Sequence, residues 1–470
     1  MKKKLLLINP VSDLRKGFVY SNASQYPPLA LGILAALTPD NWEVEIFDEN
    51  FDNFTEFIEA DLVGITSFTS SAYRAYQIAA VYKKNDVPVV MGGIHASMVP
   101  KEAINYVDVV GVGEAESYWS SIINDFEQGE LKKFYYGTQL PMDKVPFARH
   151  DLFHENYTID SIQTTRGCPF DCSFCTVTAF NGAKYRMRPV ENVLKEIEMI
   201  KTKNMFFIDD NLLGYSKKAK EHATAIFKGM IERGIKKDWW TQCSLNVADD
   251  EEVLELMAKS GCKLIFIGIE SETTEGLEDT NKKLNARMGF DKYTEAFNKI
   301  HKYGMSVIGS FIFGLDSDTV ESLKNRKDYI LNQPIDAYQT GILTPLPGTK
   351  LYRDFEKQGR IIKNNYPEDW QYYSIEDVVM EPGKMDAETL SVTMKSIWYD
   401  LYNKKTILRK FMNTLRATRS TDAAGWAISA NMTYRNMGID MFGLDEFSIE
   451  DIIGQLPKSS GALFHKPDKK

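Results

Sequence analysis

Three of the five cysteines in this chain lie within one short stretch, RGCPFDCSFC, at Cys168, Cys172 and Cys175. Thiolates crowded on one segment bind metal more often than they form disulfides in a reducing compartment. Structural zinc sites close with four ligands, and the iron–sulfur clusters of electron-transfer proteins also take four cysteines. Three thiolates on a cluster would leave one iron open to bind a substrate or cofactor directly. A zinc knuckle with a distant fourth ligand remains the alternative at this stage.

Further polar and small residues stand at or near the ends of predicted strands after the cysteines. In barrels of alternating strands and helices, the chemistry lies at the carboxyl ends of the strands. A single carboxylate at such a position is more often a helix cap or a loop residue. Support for a functional role therefore comes from the place of each residue at the end of a strand. The candidates are Asp209 and Asp210 after NMFFI, Ser244 after WWTQC, Glu270 after CKLIFIGI, and Gly309 within MSVIGSFIFG.

The elements that position these residues form two α/β regions followed by helices. Residues 1–140 alternate five apolar runs with helical segments, which predicts a flavodoxin-like, doubly wound parallel sheet. Residues 141–350 contain six strand–helix units and predict a partial TIM-type (βα)6 barrel that is open on one side. A polar connection at about 126–157 is predicted to be a linker, and residues 351–470 are predicted to be mainly helical. Cys243 and Cys262, in or beside apolar strands, are expected to be inert core thiols.

Composition limits the classes of partner. The 470 residues carry a net charge of −9, which argues against electrostatic binding of nucleic acid over a broad surface. The charge favours a small or lipid-like molecule as the ligand. No apolar run is long enough to span a bilayer, and the first apolar run ends at Asn9 and Pro10 without a cleavage site, so we expect a cytoplasmic protein with no transmembrane segment.

The spacing CxxxCxxC after the first strand of a partial barrel, with Phe174 before the last cysteine, resembles the radical S-adenosylmethionine superfamily. The resemblance implies that the three thiolates hold a 4Fe-4S cluster and that its open iron binds S-adenosylmethionine. One-electron cleavage then gives a 5′-deoxyadenosyl radical. The resemblance also implies contacts to S-adenosylmethionine: Asp209 and Asp210 at the methionine amino group, Glu270 at the ribose, Gly309 and Phe174 at the adenine, and Ser244 nearby.

The first region resembles the cobalamin-binding domains that are joined to many enzymes of this superfamily. The resemblance rests on four segments, PPLALGILAALT, SFT, GGIHAS and GVGEAE. The DxHxxG motif, whose histidine ligates cobalt in other cobalamin proteins, is absent from NPVSDLRKG. The resemblance implies that the corrin or its nucleotide tail meets Ser67, Thr69, Gly92, Gly93, His95, Gly113 and Glu114.

The carboxyl-terminal segments GRIIKNNYPEDWQYYS and LYNKKTILRKF resemble an extension found in hopanoid methylases and bacteriochlorophyll side-chain methylases. Together the resemblances imply a cobalamin-dependent radical methyltransferase that acts on a small, hydrophobic molecule and takes electrons from a reductant such as flavodoxin or ferredoxin. Two alternatives remain open: oxidative cyclisation or rearrangement with the same cofactors, and a sensor of cobalamin or cluster without turnover.

Overall fold

The computed structural model describes residues 2–14, 25–442, 447–448 and 451–452. Its first sheet has the strand order β2-β1-β3-β4-β5-β6, and neighbouring strands are parallel. The first five strands are those predicted. The strands are β1 (Lys3–Asn9), β2 (Trp42–Asp48), β3 (Leu62–Thr66), β4 (Val89–Gly92), β5 (Val109–Val112) and β6 (Phe134–Tyr136).

The sixth strand lies in the segment that the sequence predicted as a linker, and that prediction is wrong there. β6 has only three residues between polar neighbours, too few to show an alternating pattern, but it pairs with β5 through Val110 and Phe134 and covers that edge of the sheet. Helices pack on both faces of this sheet. They are α1 (Leu29–Leu37), α2 (Ala72–Lys83), α3 (Gly93–Met98), α4 (Pro100–Ala103) and α5 (Trp119–Gln128).

The second sheet is also parallel and contains all six strands predicted for the barrel. Its order follows the chain, from β7 at one edge to β14 at the other, as in an open partial barrel. A separate antiparallel pair, β8 and β9, lies between its first two strands in sequence. The strands are β7 (Ile159–Ile162), β8 (Thr165–Arg166), β9 (Arg186–Met187), β10 (Asn204–Phe207), β11 (Asp238–Cys243), β12 (Cys262–Glu270), β13 (Ser306–Phe313) and β14 (Ala337–Ile342).

Helices cover one face of the second sheet, where Trp239 packs against Phe207 of the neighbouring strand and against Phe227 of a covering helix. Asp250 caps its helix by accepting a hydrogen bond from the backbone of Val253. The helices of this region are α6 (Thr176–Asn181), α7 (Val190–Met199), α8 (Lys217–Glu232), α9 (Glu251–Lys259), α10 (Thr274–Asp279), α11 (Lys283–Met288), α12 (Asp291–Lys302) and α13 (Val320–Asn332).

The described part of the carboxyl-terminal region is helical, as predicted, with one isolated bridge between Ile361 and Met380. Its helices are α14 (Lys350–Gln358), α15 (Ala387–Tyr402), α16 (Lys404–Thr418) and α17 (Thr421–Phe442). Lys410 of α16 is buried and donates hydrogen bonds to the carbonyls of Ile330 and Gln333. No helix in the described ranges is both long enough and apolar enough to cross a membrane.

Candidate active site

The three clustered cysteines lie on one loop between β8 and β9. Gly167 precedes the first of them with φ +90°, and a Cβ there would meet the carbonyl of Lys184 at 2.4 Å, so the tight entry requires glycine. Ser173 fixes the middle of the loop, because its amide donates to the carbonyl of Thr280 and its carbonyl accepts from the amide of Leu351. The loop is thus held against helices that follow two later strands.

All three thiols are free and half-buried, and they lie close enough to influence one another's ionisation. Burial raises the pKa of each of them, and it raises the pKa of Cys175 to about 12. Within the described ranges, no three His, Cys, Asp or Glu side chains are grouped so that they could hold a single metal ion. A 4Fe-4S cluster makes a different demand, because each cysteine binds a different iron. Three unpaired thiols on one loop fit that donor set.

The structure places the two strand-end aspartates in different roles. Asp209 is completely buried and accepts hydrogen bonds from the amide and hydroxyl of Thr164 and from the hydroxyl of Thr165. Burial raises its pKa to about 6, against the opposing effect of these hydrogen bonds. Asp209 therefore holds the chain just before the cysteines, and the geometry does not present it to a methionine amino group. Asp210 is half-buried and accepts from Asn181 at 3.1 Å, so it remains the candidate there.

Adjacent strand ends bring Asn211 and Ser244 together. The Asn211 side-chain amide donates to Ser244 Oγ at 2.9 Å and its oxygen accepts from the Ser244 amide at 3.3 Å. Both residues therefore stand at the carboxyl edge of the second sheet, where the sequence placed Ser244.

Glu270 ends β12 in a left-handed conformation, with φ +65°, which is unusual for a residue with a side chain and is found preferentially at functional sites. Its carboxylate pairs with Lys282 at 2.7 Å. Lys282 also lies near Cys172 and Cys175, and the negative charges around it raise its pKa in spite of burial. Lys282 was not predicted, because it lies twelve residues after Glu270 in a loop with no motif of its own.

The two predicted adenine contacts have different surroundings. Phe174 is half-buried and packs at the margin of the main hydrophobic core, on the cysteine loop itself. A Cβ at Gly309 would meet Ile269 at 2.9 Å and Ile335 at 3.2 Å, so the missing side chain faces the core. Core packing accounts for glycine at this position.

The carboxyl edge of the first sheet carries the predicted cobalamin contacts. Ser67 is buried, and its hydroxyl has no hydrogen-bond partner among the described residues. Gly92 ends β4, and Gly93 has φ +93° and lies so close to Ser67 that a Cβ would meet the Ser67 carbonyl oxygen at 2.9 Å. Between Ser67 and Thr69, Phe68 is 67% exposed. A buried hydroxyl without a partner and a large exposed ring fit a bulky cofactor with both polar and apolar surfaces.

His95 is held at this edge by its backbone, because its amide donates to the carbonyl of Ser67, but its ring points into the protein. It is completely buried, its Nε2 is 3.1 Å from the hydroxyl of Tyr76, and its Nδ1 is 3.4 Å from the hydroxyl of Thr69. Trp370 packs edge-on against the ring at 5.3 Å. Burial lowers the pKa of His95, so the ring is a neutral structural group and not an open cobalt ligand. Thr69 is buried with it.

Glu114 was predicted to contact cobalamin, but its carboxylate is occupied by ion pairs. It follows Gly113, which has φ +83°, but its carboxylate binds two arginines of the second region, Arg166 and Arg186. The carboxylate therefore connects the two regions.

Comparison with known proteins identifies both regions. Residues 162–330 match the family model of the Radical SAM superfamily, and residues 15–122 match that of the B12 binding domain. The bacteriochlorophyllide d C-8(2)-methyltransferase of Chlorobaculum tepidum is 30% identical over 83% of this chain and 88% of its own length. This chain belongs to the cobalamin-binding radical S-adenosylmethionine methyltransferases.

Two further comparisons agree with this family. The hopanoid C-2 methylase of Rhodopseudomonas palustris is 28% identical over 73% of this chain and 67% of its own length. A solved structure of the radical S-adenosylmethionine methyltransferase TsrM from Kitasatospora setae, with cobalamin and a 4Fe-4S cluster bound, has a similar fold. Its TM-score is 0.65 at 16% identity, over 92% of this chain and 99% of that chain.

The cofactors of this methyltransferase are a 4Fe-4S cluster, S-adenosylmethionine and cobalamin. When bound, they supply one-electron cleavage of a sulfonium and a carrier for the methyl group, so the chain's own task is to bind, orient and shield. The family favours methyl transfer over both alternatives that the sequence left open, cyclisation and sensing.

Proposed function

We propose that this protein transfers a methyl group to an unactivated carbon of a small hydrophobic molecule. The observation that carries the proposal is the aromatic lining on the face of the second sheet opposite helices α7 to α9. Side chains alternate between the two faces of a strand. Phe207 and Trp239 point to the helices, and their neighbours Phe206 and Trp240 point to the other face.

Phe206 and Trp240 stack with ring centroids 3.7 Å apart and an interplanar angle of 4°. Tyr26, from the segment before α1, meets Phe206 edge-on at 5.0 Å and is 46% exposed. Phe206 is buried beneath these rings, so the half-buried Trp240 and the exposed Tyr26 present the aromatic surface. Flat aromatic surfaces of this kind favour an apolar, preferably polycyclic, ligand.

Helix α17 closes the same face near the starts of the strands. Its Trp426 and Tyr434 pack with Leu264 and Ile308 in one cluster. Polar groups follow farther along the strands, where Ser310 donates to Gln339 at 3.2 Å. The side chains near the strand starts are thus apolar, and those nearer the strand ends are polar. This arrangement suits a hydrophobic substrate whose reacting carbon faces the carboxyl ends of the strands, where the cofactors are assigned.

At the carboxyl ends of the barrel strands, we assign the residues as follows. The three cysteines hold the cluster, Asp210 and Ser244 orient S-adenosylmethionine at the ends of β10 and β11, and the Glu270–Lys282 pair supplies one anionic and one cationic group beside them. At the carboxyl edge of the first sheet, we assign Ser67 and Gly93 to the binding of cobalamin. Phe174 remains a proposed neighbour of the adenine.

Ligand binding tests the substrate class without turnover. A polycyclic terpenoid and a chlorophyllide, with free glutamine as a small, polar, non-fluorescent control, are titrated against the protein while its tryptophan fluorescence is followed. The variant Trp240→Phe shows which part of the fluorescence comes from the aromatic lining, because that part is missing in the variant. We expect the polycyclic ligands to quench that signal, and Phe206→Leu to weaken their binding about tenfold. Phe227→Leu, which removes a ring on the helix-covered face, is the matched control and should leave binding unchanged. Quenching by the polar control alone would contradict the proposal.

We also propose that the electron donor is an acidic protein such as flavodoxin or ferredoxin, which docks at a cleft beside the cysteine loop. The cleft has a volume of about 190 Å³ and is lined by Cys172, Lys282, Lys283 and Arg287, among others. Lys283 and Arg287 are exposed in a chain of net charge −9, so this is a local basic surface next to a cluster ligand. Charge complementarity steers such an encounter.

The double variant Lys283→Glu/Arg287→Glu tests this docking. Reduction of the cluster by flavodoxin should slow about tenfold or more, and reduction by dithionite, which needs no docking surface, should change little. Equal rates with flavodoxin before and after the charge reversal would refute this docking site.

A further inference from the structure

Four buried charged residues connect the two regions at the cysteine loop, and we refer to them as the ionic junction: Glu114, Glu116, Arg166 and Arg186. Arg166 Nη2 lies 2.5 Å from Glu116 Oε1, and Arg166 Nη1 lies 3.4 Å from Glu114 Oε2. Arg186 Nη1 donates to Glu114 Oε2 at 3.1 Å, and its Nη2 binds the other oxygen of that carboxylate. Each of the four side chains is less than 10% exposed.

The two arginines stand at the two ends of the cluster-binding segment. Arg166 in β8 is two residues before Cys168, and Arg186 in β9 is opposite Arg166 in the antiparallel pair. The whole cysteine loop, with α6, therefore emerges from a hairpin whose strands each carry one arginine. Additional contacts fix both side chains, because Arg166 Nε donates to Gln163 at 2.7 Å and Arg186 Nη1 donates to the carbonyl of Leu140 at 2.9 Å.

The two glutamates come from the cobalamin edge of the first sheet. Both follow β5, one and three residues after Gly113, whose amide donates a hydrogen bond to Ser97 Oγ at 3.0 Å. That hydroxyl lies in α3, the helix that begins at Gly93 beside Ser67. The glutamates therefore belong to a loop that is hydrogen-bonded to the helix beginning at Gly93, one of the residues that we assign to cobalamin.

Burying four charges costs solvation, and apolar residues of similar volume would stabilise an interface at least as well. Ion pairs with several fixed donors and acceptors do, however, hold two bodies in one relative position, since bidentate guanidinium–carboxylate geometry is directional. The positions of these charges, at both ends of the cluster loop and at the cobalamin edge, match such a function.

We infer that the ionic junction is a positioning device that sets the distance between the cluster and cobalamin. The inference needs the two cofactors of the family but not the proposed hydrophobic substrate, so it stands or fails separately from that proposal. The junction residues touch neither reacting atoms nor substrate; they act through the loops that carry the cofactors.

The test measures the distance between the two cofactors directly. The protein is loaded anaerobically with cluster and cobalamin, the cluster is reduced, and the coupling between paramagnetic cobalt(II) and the cluster is recorded by pulsed EPR. Wild-type protein should give a single narrow distance distribution. Glu114→Gln keeps the size of the side chain but removes its charge from both arginines, and it should broaden the distribution at least twofold while iron and cobalamin contents stay near the wild-type level.

A second buried polar network provides the matched control. Asp336, directly before β14, accepts hydrogen bonds from the hydroxyl of Thr414 and from the amide of Val307, and its carboxylate lies 2.7 Å from His301 Nε2. Asp336→Asn disturbs this buried carboxylate at the starts of the strands, at the other end of the sheet from the cysteine loop, so it should lower thermal stability without broadening the distance distribution. If Glu114→Gln does not fold, Glu116→Gln/Arg166→Gln removes one charge pair together and is read in the same way. A distribution as narrow as that of wild type, in whichever of these variants folds, would overturn the inference.

Discussion

Removal of His150 should change the pH dependence of stability in a predictable direction. His150 Nδ1 is 3.0 Å from Asp160, its Nε2 is 3.2 Å from Glu196, and the ring is 7% exposed. Burial alone would lower the pKa of the imidazole, but the hydrogen bonds and charges of the two carboxylates outweigh it and raise the pKa to about 9. The folded protein therefore holds a charged imidazolium between two carboxylates at neutral pH.

The magnitude follows from the difference between about 9 in the fold and the ordinary value of 6.5. At 1.36 kcal/mol per pKa unit, the differential interaction is about 3 kcal/mol. Because the folded-state pKa is the higher one, this stabilisation is fully present below about pH 6.5 and is lost as the pH rises through about 9.

Carbon-13 NMR of protein labelled at histidine measures this pKa, and His150→Gln identifies the signal by its disappearance. Thermal unfolding gives the linked effect: wild-type protein should lose stability between pH 6.5 and 9.5, and His150→Gln should be less stable at pH 6.5 and show less of that loss. Titration of His150 near 6.5, or the same pH dependence in both proteins, would refute the reasoning.

Three further predictions concern the site. Cys168→Ser should abolish cluster binding, measured as iron content, whereas Cys243→Ala should retain it because Cys243 is a buried core thiol. Ser67→Ala should weaken cobalamin binding by roughly tenfold in an absorbance titration, since the buried hydroxyl would lose the partner that we assign to it. Asp209→Ala should lower thermal stability by about 1–3 kcal/mol, because it leaves buried donors of Thr164 and Thr165 unpaired, and should reduce cluster retention; unchanged retention would contradict its role behind the loop.

The strand pattern was predictable because parallel strands buried on both faces are nearly continuous apolar runs. Each predicted strand of both sheets is present. β6 escaped prediction because three residues, FYY, show no alternation that distinguishes a strand from a loop. The boundaries that we placed at 140 and 350 remain predictions.

The site was predictable in position but not in side-chain partners. Strand ends placed Asp210, Ser244 and Glu270 at one edge, but the sequence could not show that Asp209 points inward to two threonines. It also could not show that His95 is buried beside Tyr76 or that Glu114 binds arginines from another region. Such pairs join residues many positions apart, and no local pattern encodes them. Arg166, two residues before Cys168, was a signal in the sequence that the predictions did not use.

The most direct test of the central claim uses anaerobically reconstituted protein, cobalamin, reductant, a hydrophobic polycyclic substrate and S-adenosylmethionine with a CD3 methyl group. The account predicts a product that carries CD3, with 5′-deoxyadenosine and S-adenosylhomocysteine formed in equal amounts. Formation of 5′-deoxyadenosine and an altered product without S-adenosylhomocysteine would contradict methyl transfer. If the cluster and cobalamin are both bound and neither 5′-deoxyadenosine nor S-adenosylhomocysteine forms, the result would contradict the conclusion that the protein is an enzyme.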